Sequence, residues 1–336
     1  MSFRIRAARM DDLQHLYEMA KLTGGGFTNL PADKNSLTAK LERSERAFTS
    51  DTGEHGNDLF VMVLENVEDG TVRGTSQLFT KVGQSWPFYS YRMSTLSQSS
   101  KELDRTFSAQ MLSPVTDLEG SSEVGGLFLH PNERAGGLGM LLARSRYLFI
   151  KEHRSRFGNR LFAELRGVID EAGGSPFWDG LAGRFFGMGF QEADYFNALH
   201  GNQFIADLMP KHPIYTAMLS ETARAAIGIP HPNGRAAMRM LENENFSYDG
   251  YVDIFDGGPT MIAKTDDVTS IRNAKSATIS GFAEKGTKSI ISCGQLADYR
   301  ATYALVSESD GGVTIDQTGA DNIGLSIGDT IWHIPR

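Results

Sequence analysis

The run Val124-Gly125-Gly126-Leu127-Phe128-Leu129 is followed, after four intervening residues, by Arg134-Ala135-Gly136-Gly137-Leu138-Gly139, and this succession decides the fold. The apolar run predicts a β-strand, and the amphipathic segment after the glycines predicts a helix that reaches about Arg156. Unpaired amides at a helix N-terminus, glycines that permit close approach and a neighbouring arginine together form a receptor for a pyrophosphate. The plain alternative is a tight turn that leads into an ordinary helix, so the motif needs support from the rest of the chain.

Other phosphate-binding motifs fit this sequence less well. Arg134 departs from the Gly-x-x-x-x-Gly-Lys-Ser/Thr loop of nucleotide triphosphatases, and the first strand is not followed by a dinucleotide-binding Gly-x-Gly-x-x-Gly. The spacing Arg-x-x-Gly-x-Gly resembles instead the acyl-CoA loop of the Gcn5-related N-acetyltransferase superfamily.

The order of the predicted elements supports this resemblance. Strand, helix, β-hairpin, strand, loop, helix, strand and helix follow one another, and a final strand is expected after the helix that ends near Phe190. The segments that carry this order are residues 3–6, 11–20, 59–65, 72–79, 124–129, 138–156, 160–165 and 176–190.

Longer motifs resemble one family within that superfamily, the arginine N-succinyltransferases. The resemblance covers roughly residues 3–275 and becomes weaker beyond them, and residues 51–57 also look individual. Its most specific runs are residues 23–33, 166–171, 175–178, 209–215 and 253–260.

The resemblance implies transfer of a succinyl group from succinyl-CoA to the α-amino group of L-arginine, in arginine catabolism. It also implies that His231, within a His-Pro run, is the proton donor and that Leu127 contacts succinyl-CoA. Gly126 stands where related sequences have a threonine, which removes one polar contact but leaves the backbone of Leu127 available. The backbone amides of residues 127–129 are the expected oxyanion donors, because they need no particular side chain. His212, which also precedes a proline, is the rival for the acid–base role.

The substrates set further requirements. The guanidinium of arginine binds carboxylates, and its α-carboxylate binds cationic or amide donors. For any one charged residue of the chain, however, an ordinary structural salt bridge is the commoner role. The cofactor-binding candidates are Leu127, Phe128, Leu129, Arg134, Gly137 and Gly139, and the substrate-binding candidates are Asn29, Glu123, Glu164, Arg166, Asp170, Lys211, His212, Asp253 and Asp256. Two alternatives remain open, namely an acyltransferase of the same fold that acts on ornithine or another amine, and a non-catalytic acyl-CoA-binding subunit.

Composition narrows the choice of partners. Lys and Arg total 33 against 41 Asp and Glu, a net charge of -8, which disfavours nucleic acid and suits a cationic substrate. Cys293 is the single cysteine, so we expect no intrachain disulfide, no metal site and a cytoplasmic protein. Residues 1–20 lack an uninterrupted apolar segment, so neither a signal peptide nor a membrane span is expected. The family's two-subunit members imply a homodimer or a pair with a paralogous subunit.

The predicted fold class is α+β, a mixed sheet of the Gcn5-related type flanked by helices. We expect an acyl-CoA-binding domain over residues 1–198, interrupted by a polar insertion at residues 90–122. A second α/β segment over 199–262 carries His231 and begins with an expected strand at residues 204–209. A small β-rich barrel or sheet over 263–336 completes the chain, because short apolar runs there alternate with glycine turns.

Overall fold

The protein is described by a computed structural model that covers residues 2–23, 29–50, 56–134, 136–200, 203–309 and 311–336, without the side chains of 198–200 and 205–206. Residues 24–28, residues 51–55 and Ala135, which belong to segments discussed above, lie outside the described residues. The structure confirms a mixed sheet flanked by helices.

The described strands and helices have the following bounds. The strands are β1 Phe3–Ala7, β2 Leu59–Asn66, β3 Val72–Phe79, β4 Ser90–Ser100, β5 Arg105–Val115, β6 Ser122–Leu129, β7 Arg160–Glu164, β8 Ile214–Tyr215, β9 Ser247–Val252, β10 Pro259–Lys264, β11 Lys275–Phe282, β12 Thr287–Cys293, β13 Arg300–Ser309, β14 Gly312–Ile315 and β15 Thr330–Pro335. The helices are α1 Leu13–Lys21, α2 Lys34–Thr49, α3 Leu138–Glu152, α4 Pro176–Gly180, α5 Gly183–Phe186, α6 Phe190–His200, α7 Gln203–Leu208, α8 Glu221–Ala226, α9 Arg235–Asn243, α10 Thr269–Asn273 and α11 Gln317–Ile323.

One continuous sheet contains these strands in the order β12-β15-β11-β14-β13-β1-β2-β3-β6-β7-β10-β9-β4-β5-β8. The neighbours β6 and β7 are parallel, so their carboxyl ends lie at the same edge. They pair only at Ser122 with Leu161 and at Glu123 with Phe162, and β6 then continues to Leu129. The sheet is therefore split between β6 and β7 at their carboxyl ends.

Helix α3 packs on the sheet and supplies much of the core. Leu141, Leu142, Leu148 and Phe149 are completely buried, which matches their near-helical spacing in the sequence. Phe149 lies 4.9 Å from Phe60 of β2, measured between ring centroids. Each such buried side chain contributes about 1.5–3 kcal/mol, so the packing fixes the N-terminus of α3 against the split strand.

The C-terminal strands close into a small barrel. β13, β12, β15, β11 and β14 pair in turn, and β14 pairs back onto β13. Apolar side chains including Ile279, Ile291 and Val313 fill its interior. The barrel continues into the main sheet because β13 also pairs with β1, at Ile5 with Ala301 and at Arg6 with Arg300. The expectation of a small closed β-rich unit is confirmed.

Two local predictions differ from the structure. The segment after Phe190 is helix α6 rather than a strand, and the run from Phe204 belongs to helix α7 rather than to a strand. The ring of Phe204 packs 5.5 Å from Phe186, and Gln203 donates a hydrogen bond to Asp207 four residues on, a helical contact. The polar insertion at 90–122 forms the long β4–β5 hairpin, in which Ser97 and Ser99 bond hydroxyls across the strands.

Within the ranges that the structure describes, no helix is both long and apolar enough to cross a membrane.

Candidate functional site

The centre of the site is the split between β6 and β7. In the pairing of β6 with β3, Gly125 lies opposite Gln77 and Phe128 lies opposite Thr75. The register shifts between these two pairs, so Gly126 and Leu127 have no partner on β3. Gly126 has φ 58°, and a Cβ there would lie 2.7 Å from Cγ of Gln77, so in this chain the β-bulge favours glycine. Leu127 has no register partner on either neighbouring strand in the described pairings.

The glycine loop follows directly at the start of α3. Gly137 is the N-cap with φ 87°, a left-handed conformation that favours glycine. Its carbonyl accepts hydrogen bonds from the amides of Met140 and Leu141, so the amides of Leu138 and Gly139 precede the first hydrogen bond of the helix. Gly139 lies in the first turn and Arg134 is exposed. The loop therefore has the geometry of an anion receptor.

Beside the carboxyl end of β7 lies a cavity of about 150 Å³ that is strongly acidic. Glu164 at the end of β7, Asp194 on α6, and Asp253 and Asp256 on the loop between β9 and β10 contribute four carboxyl groups. The remaining lining residues are Phe88, Tyr89, Phe190, Asn197, Ile254 and Phe255. Acidic groups beneath apolar walls are suited to a cation that carries an apolar stem.

Two of these carboxylates are engaged by the backbone. Asp253 accepts hydrogen bonds from the amides of Phe255 and Asp256, at 2.7 and 2.9 Å. Asp256 accepts from the amides of Gly167 and Gly258, at 2.7 and 2.8 Å. These bonds fold the loop and hold both groups in place, while burial raises the pKa of both carboxyl groups, that of Asp256 to about 8.

Glu164 and Asp194 differ, because no described residue donates a hydrogen bond to either carboxyl group. Both are half-buried. Burial and the nearby charge of Asp253 raise the pKa of Asp194 to about 6, and burial with the neighbouring acids raises the pKa of Glu164 well above its usual range. Groups with unused acceptor positions and raised pKa values are those expected to bind a cationic ligand.

Glu123 occupies the floor of the split, next to this cluster. Burial raises its pKa to about 7, opposed by a hydrogen bond from Asn29 Nδ2 at 3.4 Å and by the charge of Lys40. Lys40, on α2, is itself half-buried, and burial lowers its pKa to about 8. The buried guanidinium of Arg146 donates to the carbonyl of Gly125 at 3.2 Å and braces the bulge.

Arg166 and His231 lie at the edge of the acidic cavity. The amide of His231 donates to the carbonyl of Arg166 at 2.7 Å, and the Arg166 charge acts on Asp194 and Asp256. Nε of Arg166 is buried without a hydrogen-bond partner among the described residues. Nδ1 of His231 accepts from the amide of Asn233 at 3.2 Å, which leaves the proton of the neutral ring on Nε2. Burial, then the Arg166 charge, lower the pKa of His231, so the ring is neutral at pH 7.

The structure thus groups most of the predicted site residues but not all of them. Asn29, Glu123, Glu164, Arg166, His231, Asp253 and Asp256 form one connected set around the split and the cavity. Asp170 is exposed and closes a turn by accepting from the amides of Ala172 and Gly174. Lys211 and His212 are exposed on the segment after α7, and no described contact links them to the cavity.

Sequence reasoning missed Asp194 and Lys40. A helical reading of the segment after Phe190 would have found Asp194, because Phe190, Asp194 and Asn197 then share one face. Lys40 lies on the buried face of α2, three residues after Leu37 and four before Ser44, but nothing in the sequence indicates that this face meets Glu123. The described residues contain no group of three or more metal-ligating side chains that would hold a metal ion.

Comparisons with known proteins point to one family. A family model described as the arginine N-succinyltransferase beta subunit matches residues 3–270, and one for the C-terminal domain of that subunit matches residues 272–335. The arginine N-succinyltransferase subunit beta of Pseudomonas aeruginosa is 39% identical over 98% of this chain and 97% of its own. The arginine N-succinyltransferase of Citrobacter koseri is 44% identical over 81% of this chain and 78% of its own.

A solved structure has the same fold over nearly all of the chain. It is the arginine/ornithine succinyltransferase subunit AI of Pseudomonas aeruginosa, which is 29% identical, covers 99% of this chain and 98% of that chain, and has a TM-score of 0.90.

Proposed function

Since the chain belongs to the arginine N-succinyltransferase beta subunit family, we propose that it transfers the succinyl group of succinyl-CoA to the α-amino group of L-arginine. The observation that carries this proposal is the acidic cavity at the carboxyl end of β7, in which Glu164 and Asp194 have unused acceptor positions. The cavity lies at the edge where β6 and β7 separate, so a substrate held there presents its other end to the split.

The guanidinium of arginine fits this cavity by charge and by geometry. Its planar fork of N–H donors pairs with carboxylates, and Glu164 with Asp194 offers two such groups beneath the rings of Phe190 and Phe255. Asp253 and Asp256 complete the acidic lining, and a bound guanidinium favours their ionised forms. Arg166, whose Nε is buried without a described partner, is the donor that we assign to the α-carboxylate of the substrate.

The acyl donor is assigned to the loop and to the split strand. The amides at the start of α3 receive the pyrophosphate, and the bulge at Gly126 leaves the backbone of Leu127 beside the thioester. An amide donor there stabilises the negative charge that develops on the carbonyl oxygen.

The reaction moves one proton from nitrogen to sulfur. The neutral α-amine attacks the thioester carbon, the C–N bond forms, and the C–S bond breaks with its electron pair on sulfur. The nitrogen loses one proton and the thiolate gains one, so no net proton is exchanged with solvent. We assign this transfer to His231, whose backbone is attached to Arg166 beside the cavity. The neutral ring takes up the proton that the nitrogen loses and becomes an imidazolium, which then gives a proton to the thiolate and returns to the neutral form.

L-Ornithine is the second candidate acceptor. The solved relative with a TM-score of 0.90 is described as an arginine/ornithine succinyltransferase subunit, and an acidic cavity also accepts an ammonium group. Arginine is preferred here because two carboxyl groups with unused acceptor positions match a two-sided guanidinium better than a single ammonium.

A thiol-release assay tests donor and acceptor together. Succinyl-CoA and acetyl-CoA are each combined with L-arginine, L-ornithine and L-lysine, and free CoA thiol is followed. The proposal expects the highest kcat/KM for succinyl-CoA with L-arginine. Turnover confined to acetyl-CoA, or a preference for L-lysine, would contradict it, and CoA binding without turnover on any amine would indicate a non-catalytic subunit.

We also propose that the protein works in the cytoplasm and assembles with a second copy or with a paralogous subunit. The single cysteine agrees with a reducing compartment, and both Pseudomonas aeruginosa relatives are described as subunits. Sedimentation at micromolar concentration tests the assembly, because a species of 36.9 kDa alone would exclude the homodimer.

A further inference from the structure

We infer that the C-terminal barrel completes the phosphate site of the acyl-CoA donor, with Arg336 as a phosphate-binding residue. This inference rests on the donor assigned under the proposed function. It concerns the barrel and its contact with the glycine loop at the start of α3.

Arg336 lies directly against the loop. A Cβ at Gly137 would be 2.8 Å from the guanidinium carbon of Arg336, so the guanidinium occupies the space beside this glycine. The side chain is exposed. A phosphate held by the first amides of α3 would therefore be within reach of the guanidinium, which prefers phosphate oxygens as partners.

The backbone around Arg336 is held in place. Its amide donates to the carbonyl of Lys288 at 2.9 Å, and Arg144 Nη1 donates to the carbonyl of Pro335 at 2.9 Å. Arg144 is in turn paired with the buried Glu244 at 2.9 Å. The guanidinium is thus carried by an anchored strand end, which limits the entropy lost when it binds a ligand.

The barrel also anchors the loop itself. The hydroxyl of Tyr303 on β13 donates to the carbonyl of Gly137 at 2.8 Å. This bond fixes the orientation of the Gly137–Leu138 peptide, and therefore of the amide that begins α3. Tyr303 is a positioning residue, and the barrel and the loop form one unit.

The local charge points to an anionic ligand. The guanidinium of Arg336 lies 5.6 Å from the ring centroid of Tyr303, and Nζ of Lys288 lies 4.8 Å from the same centroid. In the described part of the chain neither cation forms an ion pair with a carboxylate, nor does Arg134 of the loop. Three exposed cations without acidic partners, in a chain of net charge -8, are arranged to attract an anion.

The group that Arg336 binds is a phosphate of CoA, either its pyrophosphate or its 3′-phosphate. Two ligands distinguish these sources, namely CoA and dephospho-CoA, which lacks the 3′-phosphate. Each is titrated by calorimetry into the wild type, Arg336→Gln, Arg336→Lys and the control Lys285→Gln, which removes an exposed cation from the same barrel. Thermal unfolding of each variant verifies the fold.

We expect Arg336→Gln to weaken CoA binding about tenfold or more, which is the usual effect of losing a charge-assisted hydrogen bond. Arg336→Lys should retain much of the affinity, Lys285→Gln should match the wild type, and added salt should narrow the difference between Arg336→Gln and the wild type. A loss seen with both ligands assigns Arg336 to the pyrophosphate, whereas a loss seen with CoA alone assigns it to the 3′-phosphate. Unchanged affinities of folded Arg336→Gln for both ligands would overturn the inference, whereas a wild type that binds no CoA would overturn the proposed function instead.

Discussion

The variant Asp194→Asn tests two properties of the acidic cavity: the stability that the empty protein loses when Asp194 is ionised, and the binding of the guanidinium of L-arginine. Burial beside Asp253 raises the pKa of Asp194 to about 6. The ordinary value is near 3.9 and one pH unit corresponds to about 1.4 kcal/mol, so ionising this carboxyl in the empty cavity costs about 3 kcal/mol. Because the side chain is only half-buried, solvent reduces that cost to about 1–2 kcal/mol.

The sign of the pH dependence follows from the raised pKa. The folded protein prefers the protonated group, so the penalty is absent below the unfolded pKa, grows as pH rises through about 6, and is complete above it. The asparagine side chain of the variant carries no charge, so at pH 8 the empty variant should unfold about 2–4 °C above the wild type, and the gain should shrink as pH falls towards 4. The lost charge-assisted hydrogen bond should raise KM for L-arginine about 10- to 100-fold.

Scanning calorimetry at several pH values and steady-state kinetics measure both effects. KM for succinyl-CoA should not change, because the loop and the barrel lie on other segments. Glu192→Gln is the matched control, since it removes an exposed carboxylate from the same helix and should alter neither quantity. If Asp194→Asn melts below the wild type at pH 8 and keeps its KM for arginine, the group is structural and the assignment of the cavity to the guanidinium is wrong.

Three further predictions address the loop, the histidine and pH. Gly139→Asp should weaken CoA binding at least tenfold in calorimetry, whereas Gly139→Asn should not. A side chain fits at this position, because the nearest atom to an added Cβ is 3.7 Å away, so the two variants differ only in charge. Equal CoA affinities of the two variants would exclude the loop as the phosphate site. His231→Asn should lower kcat by about 10²- to 10⁴-fold and leave CoA binding intact, and the opposite pattern with His212→Asn would reverse the two histidines. KM for arginine should rise about tenfold per pH unit below pH 6, because the guanidinium needs ionised Asp194, and a KM that is constant from pH 5 to 8 would count against this pairing.

The fold could be predicted from the sequence where local pattern and tertiary structure agree. The strand, the glycine loop and the helix at 124–152 carry an apolar run, a turn that only glycine fits, and a helical apolar face. The C-terminal barrel likewise follows from short apolar runs between glycines. A strand was predicted after Phe190 and another at residues 204–209, and both segments are helical. A short apolar run is too short to distinguish the two-residue period of a strand from the 3.6-residue period of a helix.

The site was predictable only where its residues lie on elements that the sequence predicts correctly. Glu123, Glu164 and His231 lie on or beside elements that the sequence places correctly, so their approach to the split followed. Asp194 depends on α6, because only a helix puts it on the same face as Phe190 and Asn197. A strand there alternates its side chains and gives no reason to single out Asp194. The electrostatic partner of Glu123, Lys40, comes from a helix more than 80 residues earlier, a distance over which sequence pattern has no information.

Two His-Pro-Asn runs show why surroundings, rather than motif, decide the role of a histidine. His130 and His231 have nearly the same backbone conformation, and Nδ1 of each accepts from the amide two residues on, at 3.3 and 3.2 Å. This bond is therefore a local cap that the tripeptide forms wherever it occurs. The backbone amides, however, attach to different places, that of His130 to Arg73 and that of His231 to Arg166 at the acidic cavity. Asparagine also caps well, so His130→Asn and His231→Asn should change stability alike. A loss of kcat beyond that of His130→Asn then measures the chemistry of His231.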